Sequence, residues 1–154
     1  MKPATRRILL VDDEPSIIKM IGKRLEMAGF EVSFAMDGQT ALTKVRQEAP
    51  TLIILDMMLP KLSGLDVCAA LKHDPQTRHI PVLVFTGKGQ LVDEQLCREY
   101  GADAYLNKSF RGDEIVQHVE ALLAQATNLA RDRQAPPSKG TPPARSGPER
   151  SADA

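Results

Sequence analysis

The chain has 154 residues, enough for one domain with a hydrophobic core, and its 42% apolar and 26% charged residues are those of an ordinary globular protein. Twenty basic residues balance twenty acidic ones, so no net field draws the chain toward nucleic acid or an anionic membrane. Its apolar runs, such as Leu52 to Leu55 and Val82 to Phe85, are strand-sized and far too short to span a bilayer.

Met1-Lys2-Pro3-Ala4-Thr5-Arg6-Arg7 leads into a first strand at Ile8–Val11, without the long apolar core or small-residue cleavage site of a signal peptide. Asp12 and Asp13 follow directly. In the first helix Ile17, Ile21 and Leu25 share a face, Pro15 suits the first turn and Gly29 can close it. The second strand reads at Glu31–Ala35, where Glu31 and Ser33 alternate with Val32 and Phe34 as on an edge. Asp37 is a suitable N-cap for a second helix whose stripe is Ala41, Leu42, Val45 and Ala49. The third strand, Thr51–Asp56, ends on an acid, and a third helix carries Leu65, Cys68 and Leu71. The fourth strand, Pro81–Thr86, leads to a helix with a weaker stripe of Leu91, Leu96 and Tyr100. A short fifth strand, Ala104–Leu106, precedes Lys108, and Ile115, Val119, Leu122 and Ala126 mark the last helix.

From Arg131 to Ala154 the text is rich in Pro, Ser, Gly and Ala, with no aromatic residue and no hydrophobic period. Such a segment cannot bury enough apolar surface to offset its ordering entropy. Two regions are therefore expected: a folded domain over 1–130 and a disordered Pro-rich tail or truncated linker over 131–154. The tail's small positive excess is that of a solvated segment; a nucleic-acid arm needs denser basic residues. Cys68 and Cys97 have no Cys-x-x-Cys spacing and no histidine at zinc-ligand distance, so two reduced structural thiols and a cytoplasmic location are expected.

Regular alternation of strand and helix argues a parallel sheet covered on both faces. The first, third and fourth strands are continuous apolar runs, as for strands buried on both sides, while the second and fifth suit the edges. With right-handed crossovers this gives a doubly wound, flavodoxin-like α/β fold: five parallel strands in order 2-1-3-4-5 with five helices. Ligands are expected at the carboxyl ends of the first and third strands, where the chain reverses direction.

Asp12, Asp13, Asp56, Thr86 and Lys108 all fall on that rim. Taken singly each has a plain reading: an Asp pair before a helix is a cap or solvated turn, a strand-end Thr a cap, a lone Lys surface. Their joint placement points to a site. Three neighbouring carboxylates repel, and the repulsion is relieved by a proton or a cation. Oxygen ligands without His or thiolate suit a hard ion, and few protein ligands suit Mg²⁺. With Mg²⁺ and the Lys108 ammonium balancing the charge, a carboxylate can attack phosphorus and form an acyl phosphate.

These residues, with Ile53-Ile54-Leu55-Asp56-Met57-Met58-Leu59-Pro60, Gly64 and Gly101-Ala102-Asp103-Ala104-Tyr105, resemble the receiver domain of two-component response regulators over about residues 6 to 126. The resemblance implies that Asp56 accepts phosphate from a phosphohistidine on a histidine kinase or phosphotransfer protein. It implies that Asp13, Asp56 and the Met58 carbonyl bind Mg²⁺, with Asp12 acting largely through water. Thr86 would bond the phosphoryl group and Tyr105 would turn inward behind it. That switch would alter the face made by the fourth helix, fifth strand and fifth helix, where a downstream target or a second copy binds. It implies a signalling module that promotes only its own phosphorylation and dephosphorylation, with no turnover of other substrates. Met58 and Lys88 would border the path of a hydrolytic water, and a thioether orients water poorly. One departure from the family is Ser109 after Lys108, where Pro with a cis bond is usual; a cis bond before a non-proline costs about 2.5–4 kcal/mol, which argues for trans.

Rival readings are weaker. A haloacid-dehalogenase-like hydrolase would need Asp two residues after the nucleophile, where Met58 stands. Gly87-Lys88-Gly89 lacks the flanking Gly and Ser or Thr of a phosphate loop. His73, His79 and His118 share no metal spacing and are expected exposed. A pseudo-receiver that binds partners without phosphorylation, or the N-terminal fragment of a larger regulator, remain alternatives.

Overall fold

A computed structural model describes residues 6–86, 94–107 and 112–134. Five strands and five helices alternate along the chain. These are β1 (Arg7–Val11), α1 (Pro15–Met27), β2 (Glu31–Ala35), α2 (Gly38–Glu48), β3 (Leu52–Asp56), α3 (Gly64–His73), β4 (Val82–Thr86), α4 (Glu94–Glu99), β5 (Ala104–Asn107) and α5 (Gly112–Gln134). All strand pairs are parallel, and the sheet order is β2-β1-β3-β4-β5. That is the doubly wound order expected from the apolar central strands.

Side chains of alternate strand residues divide the core in two, as the pleat requires. Leu9, Val11, Ile53, Leu55, Val82 and Val84 meet Ala41 and Val45 of α2 and Val67, Cys68 and Leu71 of α3. Ile8, Leu10, Leu52, Ile54, Leu83 and Phe85 meet Ile21 and Leu25 of α1 and Ile115, Val119 and Leu122 of α5. Every residue of β3 is buried, so its run of apolar side chains is read by helices on both faces.

Helix ends follow local chemistry. Pro15 occupies the first turn of α1, and Gly29 takes φ 97° just beyond its end. Asp37 caps α2 by accepting from the Thr40 N–H at 2.7 Å. This backbone hydrogen bond is the main reason its carboxyl lies below the usual carboxylate range. The cap's contribution is therefore present above the ordinary Asp range and lost as pH falls through that lowered value. The other end of α2 is less comfortable: Ala49 sits at φ 48° in the left-handed region. Ala49→Gly is expected to stabilise the fold by about 1 kcal/mol, because the Cβ penalty of that conformation disappears. A thermal melt that rises by roughly 3 °C checks it, and a fall would show that the Ala49 methyl packs usefully.

β2 lies at the edge that its alternation suits, and Phe34 on it is 50% exposed; Lys44 holds its ammonium 5.5 Å from the ring and donates to the Phe34 carbonyl at 2.6 Å. Two expectations need correction. The face of α4 is turned: Cys97 is buried, while Leu96 and Tyr100 are exposed, and Leu91 lies outside the described residues. Helix α5 reaches Gln134, four residues past the boundary set at 130. Ala130, Arg131, Arg133 and Gln134 are good helix formers, and Pro136 disfavours helix at the residue before it. Residues 135–154 lie outside the described residues.

Candidate functional site

The carboxyl end of the sheet is built by register. Val11 pairs with Leu55, so the next residues, Asp12 and Asp56, stand level on neighbouring strands. Asp56 is in turn level with Phe85 of β4, and Thr86 one step on is level with Asn107 of β5. Asp12, Asp13 and Asp56 each offer a carboxylate oxygen, and these oxygens all lie within 4.8 Å of one another. Asp12 and Asp56 are buried and Asp13 is exposed.

Backbone groups fix the acids. The Asp12 N–H donates to the Ala35 carbonyl at 3.1 Å, and Asp12 Oδ1 accepts from the Glu14 N–H at 2.8 Å. That short Asx turn lets α1 begin at once, with Pro15 in its first turn. On the neighbouring strand Asp56 Oδ1 accepts from the Met58 N–H at 3.3 Å. The Met57 N–H donates to the Phe85 carbonyl at 3.3 Å, and the Gly64 N–H donates to the Met57 carbonyl at 2.9 Å. The first of these ties the start of loop 57–63 to β4, and the second closes the end of the loop on its start.

Gly64 is required where it stands. A Cβ there would lie 2.0 Å from the Asp56 carbonyl oxygen and 2.8 Å from Met57 Cα. Inside the loop the Leu62 N–H donates to the Pro60 carbonyl at 2.7 Å around Lys61, whose φ is 70°. This is a tight γ-turn with its middle residue in the left-handed region, a rare and strained form. The Met58 side chain projects from the loop and is 62% exposed.

The remaining expected residues divide. Thr86 closes β4 beside Asp56, but its side chain lies outside the described residues, as do Lys88, Lys108 and Ser109. Tyr105 is half-buried on β5 and packs against the α2–α3 side of the core. His73, His79 and His118 are exposed. Cys68 and Cys97 are free and buried, and burial pushes the Cys68 thiol up to about 12, so it is not a nucleophile near neutrality. Gly38, the residue after the Asp37 cap, abuts loop 57–63 at Leu62, a contact between positions 38 and 62 that no local sequence signal announces.

Chemically the cluster suits a hard divalent cation. It offers carboxylate oxygens without imidazole or thiolate, and two like charges 4 Å apart repel by about 4 kcal/mol even at an effective dielectric near 20. Among the described residues no helix is long and apolar enough to cross a membrane.

Comparison with known proteins agrees with this geometry. Residues 8–120 match the family model of the response regulator receiver domain. The DNA-binding dual master transcriptional regulator RpaA of Synechocystis sp. is 42% identical over 123 residues, covering 80% of this chain and 51% of RpaA. The alkaline phosphatase synthesis transcriptional regulatory protein PhoP of Bacillus subtilis is 42% identical over 121 residues, covering 79% of this chain and 50% of PhoP. The chain thus spans about half the length of these curated relatives. Among solved structures, a CheY-like response regulator receiver domain protein from Methanospirillum hungatei superposes with a TM-score of 0.76 at 25% identity, covering 82% of this chain and 99% of that one. The receiver domain of a signal transduction histidine kinase from Syntrophus aciditrophicus gives 0.73 at 30% identity, covering 79% and 92%.

Proposed function

Because the chain belongs to the response regulator receiver domain family of two-component signal transduction, we propose that Asp56 is its phosphoacceptor and that the acyl phosphate switches binding to a protein partner. The observation that carries this reading is the buried Asp56 carboxylate held level with Asp12 and within 4.8 Å of the Asp12 and Asp13 ligand atoms, at the carboxyl rim of the sheet. In the reaction an Asp56 oxygen attacks the phosphorus of a partner phosphohistidine. The P–N bond breaks, the imidazole departs, and a mixed anhydride of Asp56 and phosphate remains.

Mg²⁺, when bound, supplies charge neutralisation for the spreading negative charge of the transferring group. The donor set fits it: Asp13, Asp56 and the Met58 carbonyl would hold the ion, with Asp12 acting largely through water. The Met58 N–H keeps one Asp56 oxygen oriented. Lys108 would balance the third negative charge and Thr86 would bond the phosphoryl group, with Tyr105 following Thr86 inward. The signal would then leave through the face formed by α4, β5 and α5, toward a downstream protein or a second copy. The proposed location is cytoplasmic, where sensor kinases present their phosphohistidine. Because the chain spans half of DNA-binding relatives, a regulator in which these residues form the front part is the second reading.

The test is intact mass after incubation with acetyl phosphate and Mg²⁺. One added phosphoryl group, lost when a chelator replaces Mg²⁺, is the expected result. No addition would leave a pseudo-receiver.

The lifetime of the acyl phosphate is a related prediction. Hydrolysis needs a water in line behind phosphorus, and in this reading Met58 would border that approach. Its thioether donates no hydrogen bond and adds flexible apolar bulk. Met58→Asn supplies an amide that orients water, so phosphate release after donor removal should accelerate several-fold. Equal or slower release would show that Met58 does not limit the water.

A further inference from the structure

Loop 57–63 connects the acceptor strand to α3, yet part of what holds it comes from the start of α2, an element that contributes no carboxylate to the cluster. Beneath the loop, Gly64 closes on the Asp56 backbone. Above it, Gly38 closes on Leu62: a Cβ at residue 38 would lie 2.6 Å from the Leu62 carbonyl oxygen, 2.7 Å from Leu62 Cβ and 2.9 Å from Val67 Cγ2. Two of these atoms cannot rotate away. Beside Gly38, Asp37 spends one carboxylate oxygen on the Thr40 N–H and turns the other toward the Lys61 ammonium, 3.7 Å away. Lys61 is the strained middle residue of the γ-turn. The first turn of α2 thus meets the loop at Lys61, at Leu62 and at Val67 behind it.

We propose that Gly38, assisted by the Asp37–Lys61 pair, is a positioning residue for the phosphoacceptor. By leaving room for Leu62 it sets how far loop 57–63 sits from the carboxylates, and so where the Met58 backbone stands relative to Asp56. Adding one methyl at residue 38 must push the loop outward. Restoring an ordinary separation of about 3.5 Å from 2.6 Å moves the Leu62 carbonyl by roughly 1 Å. The Met58 N–H bond to Asp56 is already long at 3.3 Å and has no slack to absorb the shift. Groups that orient metal ligands typically contribute about 10–100-fold in affinity, so Gly38→Ala is expected to weaken Mg²⁺ binding about ten-fold.

The inference rests on the reading of the cluster as the Mg²⁺ and phosphoacceptor site, and the experiment separates the two. The ¹⁵N-labelled 154-residue chain is titrated with Mg²⁺ alone, with no phosphodonor, and binding is followed by amide resonances. Phosphate uptake by the parent is measured separately; its absence would sink the acceptor assignment without touching the Mg²⁺ comparison. Gly38→Ala should bind Mg²⁺ about ten-fold more weakly and shift the Met57 and Met58 amides before any metal is added. Leu25→Ala, which opens a cavity on the opposite face of the sheet, destabilises the fold without reaching the loop and should bind Mg²⁺ as the parent does. Parent-like affinity in Gly38→Ala, or equal weakening in Leu25→Ala, overturns the proposal. If Gly38→Ala does not fold, Lys61→Met decides, because that side chain is exposed. Removing a cation should by field alone tighten Mg²⁺ binding. Weakening by about two-fold or more, the scale of one surface ion pair, supports positioning, and unchanged or tighter binding overturns it.

Discussion

Asp56→Asn is expected to take up no phosphate from acetyl phosphate and Mg²⁺ while keeping the native fold. The amide has the shape of the carboxylate but no negative charge and no nucleophilic oxygen. It can still accept the Met58 N–H at Oδ1, so that hydrogen bond is kept. Removing one of three crowded negative charges also relieves repulsion in the metal-free protein, whose thermal midpoint should be equal or higher. Asp13→Asn should behave differently. Its acceptor is intact, so uptake should recover as Mg²⁺ is raised. Intact mass across a Mg²⁺ series separates the two variants. Undiminished phosphate in Asp56→Asn would remove Asp56 from the role, and recovery in that variant at high Mg²⁺ would make it only a metal ligand.

Gly64→Ala is expected to be the most damaging single methyl among the described glycines. Its Cβ would stand 2.0 Å from the Asp56 carbonyl oxygen, 2.8 Å from Met57 Cα and 2.9 Å from the Asp56 carbonyl carbon. All three are backbone atoms at the end of a fully buried strand, so no side-chain tip can yield. Either the strand end or the start of α3 must move, breaking the Gly64 to Met57 bond. The expected cost is about 3 kcal/mol or more, which lowers the thermal midpoint by roughly 10 °C. Gly22→Ala is the contrast: its Cβ would meet only Val32 Cγ1 at 3.9 Å, and an alanine inside α1 should raise stability by up to about 1 kcal/mol. Similar melts for the two variants would mean that the strand end gives way freely.

The difference between those glycines also marks what the sequence could tell. Central strands announce themselves, because Ile8–Val11, Leu52–Leu55 and Val82–Phe85 must be apolar on both faces. The polar residues that end them, Asp12 and Asp56, inherit their placement from the same runs. Asp37 as a cap was legible from local chemistry alone, since its partner is three residues away. The α4 face was not. Leu96 carries more apolar surface than its neighbour Cys97, yet the smaller side chain is the one the core accepts. Phe34 obeys the alternation of its strand, yet at the edge of the sheet half of it stays exposed. Gly38 and Gly64 were opaque as close contacts for a different reason. The need for glycine is created by Leu62 and by the Asp56 carbonyl, and nothing near residue 38 in sequence records that Leu62 will be there. The half-buried Lys72–Asp103 pair, 2.8 Å apart across 31 residues, is illegible in the same way.

The Lys44 ammonium resting on the Phe34 carbonyl has a consequence for the protein in crowded solution. An edge strand presents backbone groups that a second molecule can copy, extending the sheet from one chain into the next. On β2 an approaching strand meets a cation already bonded to one of those carbonyls at 2.6 Å, with the Ser33 hydroxyl tied to Glu48 and Glu31 tied to Arg7 nearby. It would have to strip a charge of its partner and its water before forming a first rung. At the β2 margin, sheet extension into a second molecule therefore carries a desolvation cost before its first hydrogen bond forms.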